Sequence, residues 1–297
     1  MNTKILIIVG GPKKKLDPFR EANDLGVNLT LASFADLNFF LKEGEKEPIL
    51  RVGEENVDSF DVIYIRMVGK RLEDASVLAD YAAKKGITLI DRLYTKPALM
   101  PASLSKAMET KLLIKAGLPV PPTLFASLEA LGDKAGELLG FPLVVKSTSG
   151  KKARDVWSPT NQEELDKLVE ELKGREKTGE KFFAQKFIEA GQRIRIFVIG
   201  ENVIGAITRP TKWRKRFVAS DNLGEKSKIE VTDELKELAF LSAKAVSLDI
   251  AGIDILKEDR TGKLYVIEAN AAPSWKALAK DTEINIEREI LKYLRDI

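Results

Sequence analysis

Two apolar, strand-forming runs at residues 250–256 and 264–270 flank a short segment with a turn-like Asp-Arg-Thr-Gly core. Two such runs joined by a short turn predict an antiparallel β-hairpin. A helix is predicted just before the hairpin, because Thr232 is a favourable N-cap and apolar residues then recur at helical spacing. We therefore expect the C-terminal part of the chain to contain an antiparallel pair that packs on this helix.

The alternation of side chains along the two strands determines which residues share a face. If the loop is symmetric about Arg260, Asp254 opposes Val266 and Glu268 opposes Gly252. Cross-strand partners share a face, and successive side chains point to opposite faces. Asp254, Glu268 and Asn270 are therefore predicted to share one face. The opposite face is expected to carry the apolar side chains Ile253, Ile255, Tyr265 and Ile267.

Two carboxylates and one amide on a single face predict a bound cation, because like charges in close proximity otherwise destabilise each other. Magnesium suits this set, since it takes one or two carboxylates and completes its shell with phosphate oxygens and water. We therefore predict a metal site at Asp254, Glu268 and Asn270. The alternative is the solvated face of an edge hairpin, and a one-residue shift in register would move Asp254 away from the site.

The chain has no cysteine and no histidine among its 297 residues. This composition excludes disulfides, thiolate zinc sites, cysteine nucleophiles and histidine bases. The 48 basic residues are nearly balanced by 45 acidic ones, so the net charge of +3 does not indicate nucleic-acid binding. The apolar run at residues 5–9 is too short for a signal peptide or a membrane span, so we expect a cytoplasmic protein with no membrane partner.

Strand and helix signals alternate over the first 95 residues, which predicts a small parallel α/β sheet. The strands are predicted at residues 5–9, 27–32, 62–66 and 87–90, with a helix at 72–85. A break at 96–101 precedes a second unit of mixed composition. Its helices are predicted at 103–116, 128–139 and 162–173, and its strands at 142–147, 182–188, 193–199 and 203–208.

The segments Ala251-Gly-Ile-Asp-Ile-Leu and Val266-Ile-Glu-Ala-Asn-Ala-Ala-Pro resemble the C-terminal signature of ATP-grasp enzymes. They resemble in particular the RimK-like group, which adds glutamate to the C-terminus of a ribosomal protein. In that family the Asp, the Glu and the Asn two residues later bind two magnesium ions. The resemblance therefore implies that Asp254, Glu268 and Asn270 bind two Mg²⁺, with Mn²⁺ as an alternative metal.

Other motifs follow in the order that the family has, and the resemblance covers about residues 60 to 280. Ser105-Lys106 resembles the entry to the grasp domain, Phe141-Pro-Leu-Val-Val-Lys resembles the strand whose lysine contacts ATP, and Ala184-Gln-Lys-Phe-Ile-Glu resembles the hinge that reads adenine. The ATP-binding residues so implied are Lys106, Lys146, Gly150, Lys186, Phe187, Ile188 and Glu189. Arg195 and Arg209 match family arginines near the phosphates and the acyl group, which implies a catalytic role.

The chain departs from the family at several of these motifs. Its phosphate loop retains Gly150, but Ala153 stands where a second glycine is usual. Arg193 stands where the family often has an aspartate for the ATP ribose, which leaves Glu189 as the candidate for that contact. These departures keep open a degenerate ATP-grasp protein that binds nucleotide without ligase activity.

The resemblance implies an α/β ATP-grasp fold with an N-terminal parallel α/β domain at 1–95, a small central lid at 96–182 and a C-terminal α+β grasp domain at 183–297. It implies an ATP-dependent carboxylate–amine ligase that forms an amide through an acyl phosphate, for example by adding glutamate to a peptide or an amino acid. The expected partners are ATP, a carboxylate and an amine, and relatives are often homo-oligomers.

The basic and aromatic segment at 212–217 has three interpretations. It recognises an acidic acceptor, it contacts single-stranded nucleic acid, or it is a solvated loop. A nucleic-acid-binding module therefore stays an alternative function, although nucleic acid is not the expected partner.

Overall fold

A computed structural model describes residues 3–40, 48–95, 105–148, 155–211 and 228–297. The N-terminal part is built on a parallel sheet of order β2-β1-β6-β7, as the alternation predicted. A small antiparallel sheet of order β3-β4-β5 lies beside it. The strands are β1 (Lys4–Val9), β2 (Asn28–Ser33), β3 (Leu37–Phe40), β4 (Ile49–Val52), β5 (Glu55–Asn56), β6 (Val62–Met67) and β7 (Thr88–Ile90), and the helices are α1 (Asp17–Glu21) and α2 (Leu72–Lys85).

The middle of the chain forms an antiparallel sheet of order β10-β9-β11-β8. Apolar side chains of α4 and α5 cover it and form a core of their own around Leu131, Val145 and Leu165. Helix α3 precedes this sheet along the chain. These elements are α3 (Lys106–Lys115), β8 (Thr123–Phe125), α4 (Leu128–Leu139), β9 (Leu143–Ser147), β10 (Val156–Trp157), α5 (Gln162–Lys177) and β11 (Phe182–Lys186).

A third antiparallel sheet, of order β13-β12-β14-β15, forms the C-terminal part. Helix α6 covers one face, and Thr232 caps it by accepting a hydrogen bond from the backbone N–H of Leu235 at 3.3 Å. The elements are β12 (Gln192–Ile199), β13 (Asn202–Pro210), α6 (Asp233–Ala245), β14 (Ile250–Lys257), β15 (Leu264–Asn270), α7 (Lys276–Thr282) and α8 (Ile286–Arg295).

The N-terminal and C-terminal sheets share continuous apolar cores. Tyr64 and Ile90 of the parallel sheet belong to the same buried cluster as Phe197 and Ile250 of the antiparallel sheet. Asp91, directly after β7, accepts hydrogen bonds from the backbone N–H groups of Asp249 and Ile250 at 2.8 and 3.0 Å. The start of β14 is therefore fixed against the end of β7, which orients the hairpin relative to the N-terminal sheet.

The observed hairpin register differs from the symmetric one that the sequence predicted. A β-bulge between Asp254 and Ile255 makes Asp254 oppose Glu268, whereas Val266 opposes Ile255. The bulge inserts one extra residue on β15, which changes the face of the residues on its far side. The prediction that Tyr265 and Ile267 pack beside Ile253 and Ile255 is therefore wrong: they pack on Ile188, Ala190 and Leu256, and Val266 joins the core under α6.

Within the described residues, no helix combines the length and apolarity that crossing a membrane requires.

Candidate active site

Two carboxylates and an amide meet on the face of the C-terminal sheet that is turned away from α6. Asp254 pairs directly with Glu268, and Asn270 pairs with Gly252 two residues further along the hairpin. A side chain at position 252 has no room, because its Cβ would lie 2.6 Å from the Cβ of Pro273. Glycine thus lets the segment after Asn270 fold back over the sheet beside the carboxylates.

Asp254 is almost fully buried and is held by arginines of the neighbouring strand. Arg195 donates from Nε to Oδ1 and from Nη2 to Oδ2, both at 2.7 Å, which is a bidentate pair. Arg193 Nη1 lies 3.3 Å from Oδ2 of the same carboxylate. Burial opposes the charge of Arg195, but Asp254 raises the pKa of this guanidinium above its usual value. Arg195 therefore lies in the site as predicted, bound to one of the predicted metal ligands.

Glu268 is paired with Lys106, the first residue of α3, which bonds its Oε1. Burial opposes ionisation of Glu268, yet the Lys106 charge and hydrogen bonds from Lys106 and Asn270 hold its pKa below the usual range. Lys106 also donates to Oε2 of Glu109 at 3.0 Å. Burial likewise opposes the charge of Lys106, but the two carboxylates raise its pKa. The lysine therefore stays protonated and joins α3 to the hairpin.

Lys146 lies on β9, a strand that the sequence predicted, and its side chain faces the site from the sheet of the middle part of the chain. Its Nζ donates to Oε1 of Gln185 at 2.7 Å, and Gln185 in turn donates to the hydroxyl of Thr123 at 2.9 Å. Burial is the largest influence on this ammonium and lowers its pKa to about 8. Glu268 and Arg193 both act on Lys146 electrostatically, so the two antiparallel sheets face each other across the site.

The predicted hinge, residues 186–189, connects the antiparallel sheet of the middle part of the chain to the C-terminal sheet. Lys186 ends β11, and its backbone N–H donates to the carbonyl of Pro122 at 2.8 Å. Ile188 is buried in a small apolar cluster with Ala190 and Leu256, whereas the side chains of Lys186 and Glu189 are exposed. The Glu189 carbonyl accepts from the backbone N–H of Asp259 at 2.8 Å. Leu256 lies two residues after Asp254 on the same face of β14, so the apolar cluster at Ile188 extends towards the carboxylates. Phe187, also predicted as a hinge residue, is half-buried.

Arg209 lies on β13, directly opposite Arg193 of β12. Its Nε is buried and has no hydrogen-bond partner among the described residues. Burial is the largest cause that lowers the pKa of Arg209, and the neighbouring charges of Arg195 and Arg193 add to the effect. A buried guanidinium in a positive environment is a binding group for an anion.

The donor set fits Mg²⁺. Asp254, Glu268 and Asn270 offer hard oxygen ligands on one face, as this ion prefers. Within the described part of the chain, no group of three or more Asp, Glu, His or Cys side chains gathers as a metal cluster. Two carboxylates and one amide leave ligand positions open, which suits an ion that arrives with phosphate oxygens and water.

Gly150 and the basic segment 212–217, which the sequence singled out, lie outside the described residues. Conversely, Glu109 has a place in the site that sequence reasoning missed. It is buried, and its Oε1 accepts from the backbone N–H of Ala269, between Glu268 and Asn270, at 2.6 Å. Burial is the main cause that raises its pKa to about 7. The one local signal was its spacing of three residues from Lys106, which puts both on one face of a helix.

Comparison with known proteins supports the resemblance read from the motifs. A family model described as the RimK-like ATP-grasp domain matches residues 103–294. A probable alpha-L-glutamate ligase of Haemophilus influenzae is 32% identical over 187 residues, which cover 62% of this chain and 60% of that protein. The glutamate–LysW ligase ArgX of Sulfurisphaera tokodaii is 27% identical over 272 residues, covering 85% of this chain and 94% of the relative.

The fold matches that of solved ATP-grasp structures. The ATP-grasp ligase PsnB, solved with a phosphomimetic variant of its minimal precursor, Mg and ADP, superposes with a TM-score of 0.74 at 19% identity. The match covers 99% of this chain and 98% of that one. The predicted ATP-grasp fold is therefore confirmed.

Proposed function

The chain belongs to the RimK-like ATP-grasp family, and from this membership we propose that it is an ATP- and magnesium-dependent carboxylate–amine ligase. The observation that carries the proposal is the meeting of Asp254 and Glu268 between two antiparallel sheets, with Lys146 facing them from the other sheet. The named ligase relatives support the same class of reaction.

In the proposed reaction, an oxygen of the substrate carboxylate attacks the γ-phosphorus of ATP and ADP leaves, which gives an acyl phosphate. The amine nitrogen then attacks the acyl carbon, the C–O bond to phosphate breaks with its electron pair on phosphate, and the amine loses a proton. Neither step needs a protein nucleophile, which agrees with a chain that has no cysteine or histidine. The carboxylate is proposed to be that of an amino acid or peptide, with glutamate as one of the two partners.

The residues present suit the two steps. Lys146 and Lys106 offer point charges for phosphate oxygens, and the apolar cluster at Ile188 offers a floor for the base. Arg195 and Arg209 are proposed to stabilise the oxyanion that forms when the amine attacks. Magnesium held by Asp254, Glu268 and Asn270 would offset charge on the transferring phosphoryl group. The division into segments 1–95, 96–182 and 183–297 stays a proposal.

The test is a turnover assay with purified protein, ATP and Mg²⁺ against a panel of amino acids and acidic peptides. We expect release of ADP and phosphate, together with a product whose mass equals the sum of two substrates less one water. Tight binding of MgATP with no turnover across the panel would favour the degenerate alternative. A phosphorylated product without an amide would indicate a kinase.

A further inference from the structure

A side chain of helix α3 reaches the outer edge of β15, which is an edge strand of the C-terminal sheet. The N–H groups on the open side of an edge strand have no partner strand, so they need other acceptors. The N–H of Ala269 donates to Oε1 of Glu109 at 2.6 Å. Ala269 lies between Glu268 and Asn270, the two predicted metal ligands of β15. Glu109 therefore holds the backbone at the point that separates these ligands.

The other oxygen of Glu109 holds the lysine that faces the same ligands. Oε2 accepts from Nζ of Lys106 at 3.0 Å, and the same ammonium also bonds Oε1 of Glu268. Glu109 is only 2% exposed, so these protein donors take the place of water. Because both oxygens accept from different elements, the orientation of the carboxylate is fixed. One buried side chain thus joins the start of α3 to β15.

A metal ion bound to Glu268 competes with Lys106 for that carboxylate, because both are positive. In the part of the chain that the structure describes, the carboxylates paired with Lys106 are those of Glu109 and Glu268. A buried charge that loses its partner is strongly destabilising. Glu109 leaves Lys106 paired when Glu268 turns to the metal, and so lowers the free-energy cost of that exchange. An ammonium has three donors, which leaves one of them for a phosphate oxygen.

We propose that Glu109 is a positioning residue for the metal site. It fixes the backbone between Glu268 and Asn270, and it provides Lys106 with a carboxylate that is not a metal ligand. The inference rests on the proposed function, in which Mg²⁺ lies at these ligands beside the nucleotide phosphates. Since Glu109 acts through its neighbours, its loss weakens Mg²⁺ binding more than it weakens nucleotide binding or folding.

The test compares the natural chain with E109Q and E109A in calorimetric titrations of the non-hydrolysable ATP analogue AMPPNP, once at limiting Mg²⁺ and once in EDTA. E109Q keeps the size of the side chain but removes its charge and one acceptor, whereas E109A removes both contacts. The matched control is E137Q, which changes an exposed glutamate on α4. Thermal unfolding checks that each variant folds, and E109Q decides the case if E109A does not.

At limiting Mg²⁺ we expect both variants to bind AMPPNP about tenfold more weakly than the natural chain, as the loss of a charged hydrogen-bonding group predicts. In EDTA the affinity should change by less than about threefold. Raising the Mg²⁺ concentration should restore the affinity, because mass action offsets a weaker metal site. E137Q should match the natural chain under all three conditions.

A second measurement needs neither metal nor nucleotide. Amide hydrogen exchange at Ala269 should be at least about tenfold faster in E109A than in the natural chain, because the N–H loses its acceptor. Val266 is the internal reference on the same strand. Its N–H donates to the backbone carbonyl of Pro119 at 2.7 Å, an acceptor that the substitution leaves in place.

Two results would overturn the proposal. One is an AMPPNP affinity that falls equally at limiting Mg²⁺ and in EDTA and does not recover at high Mg²⁺, which would assign Glu109 a purely structural role. The other is natural Mg²⁺ dependence in both variants together with unchanged exchange at Ala269. Failure of the proposed function is distinguishable: the natural chain then does not bind AMPPNP with Mg²⁺, while faster exchange at Ala269 in E109A still supports the strand-fixing role.

Discussion

The two faces of the C-terminal sheet come from alternate residues of the same strands, yet only one of them carries charged groups. The face under α6 is apolar and fully enclosed, with Ile196, Ile253 and Ile255 at 0% exposure. The other face carries three arginines of β12 and β13 and the carboxylates Asp254 and Glu268 at one end, and the buried side chains of Phe197 and Ile199 at the other. The face under α6 is held by apolar contacts, whereas the other combines apolar burial with charges that protein partners only partly satisfy.

This difference indicates where stability and binding reside. Apolar burial contributes about 25 cal/mol per Å², and it occurs both under α6 and around Phe197 and Ile250, away from the charged residues. Bringing charges out of water costs free energy that an ion pair often does not return in full. The charged groups therefore depend on the apolar clusters on both faces for their stability. Each face predicts a different response to substitution.

The largest stability effect is expected on the apolar face. Ile253→Ala should lower the free energy of unfolding by about 2–5 kcal/mol, because it removes a fully buried side chain and leaves a cavity. Urea denaturation measures this change. The control Leu241→Ala alters a side chain on α6 that is 37% exposed, and should cost about 0.5 kcal/mol. An unchanged unfolding midpoint for Ile253→Ala would remove the basis of the comparison.

The largest effect on binding is expected on the charged face. Asp254→Asn keeps the shape but removes the charge that faces Glu268, so turnover should fall by about a hundredfold or more and Mg²⁺-dependent nucleotide affinity by about tenfold. The matched control is Asp133→Asn, an exposed carboxylate on α4. Steady-state kinetics and calorimetry measure the two quantities. Natural MgATP affinity in Asp254→Asn would contradict its assignment as a metal ligand.

The sequence predicted those features of the two faces that depend on local interactions, and it did not predict those that depend on residues distant along the chain. Alternation along β14 and β15 was sufficient to group Asp254 with Glu268 and to bury Ile253, since these are local consequences of strand geometry. The bulge was not predictable, because its extra residue, Ile267, packs on the cluster of Ile188, Ala190 and Leu256, and two of these lie far away in sequence. Family motifs supplied Lys146 and the hinge, whose spatial neighbours are far away in sequence.

Partners between distant segments were the least predictable part of the site. Glu109 binds the backbone of Ala269, 160 positions further along the chain, and nothing near Glu109 indicates that target. The pairing of Arg193 with Arg209 follows from the predicted neighbouring strands, but the single contact at 3.3 Å that Arg193 makes with Asp254 depends on Arg195 taking both oxygens of that carboxylate at 2.7 Å. Such competition is determined by three-dimensional geometry.

Asp91 is a buried carboxyl group away from the site, and it is expected to affect stability without a ligand. Burial is the main cause that raises its pKa to about 8, so the folded chain holds a proton that the unfolded chain releases near pH 4. Its contribution to stability is therefore full below about pH 4 and is lost as pH rises towards 8, with a slope of at most about 1.4 kcal/mol per pH unit.

Asp91→Asn keeps an acceptor for the backbone N–H groups of Asp249 and Ile250 but cannot ionise. Urea denaturation between pH 5 and pH 9 should show the natural chain losing stability relative to Asp91→Asn as pH rises, with the difference levelling off above about pH 8. Asp133→Asn serves as the exposed control. Parallel pH profiles for the natural chain and Asp91→Asn would show that Asp91 is already ionised in the folded state.

The pH dependence of nucleotide binding at Lys146 tests whether the binding face extends to the opposing sheet. Burial lowers its pKa to about 8, whereas Glu109 and Glu268 keep Lys106 protonated. A nucleotide phosphate favours the protonated lysine, so binding takes up a proton and affinity should fall with rising pH, by up to about tenfold per unit above pH 8. Lys146→Arg stays charged and should bind nucleotide with little change from pH 7 to pH 9.5. Calorimetric titration with AMPPNP and Mg²⁺ measures the affinity across this pH range. If affinity changed equally with pH in the natural chain and in Lys146→Arg, the nucleotide phosphates would lie beyond the reach of Lys146. The binding face would then be confined to the C-terminal sheet.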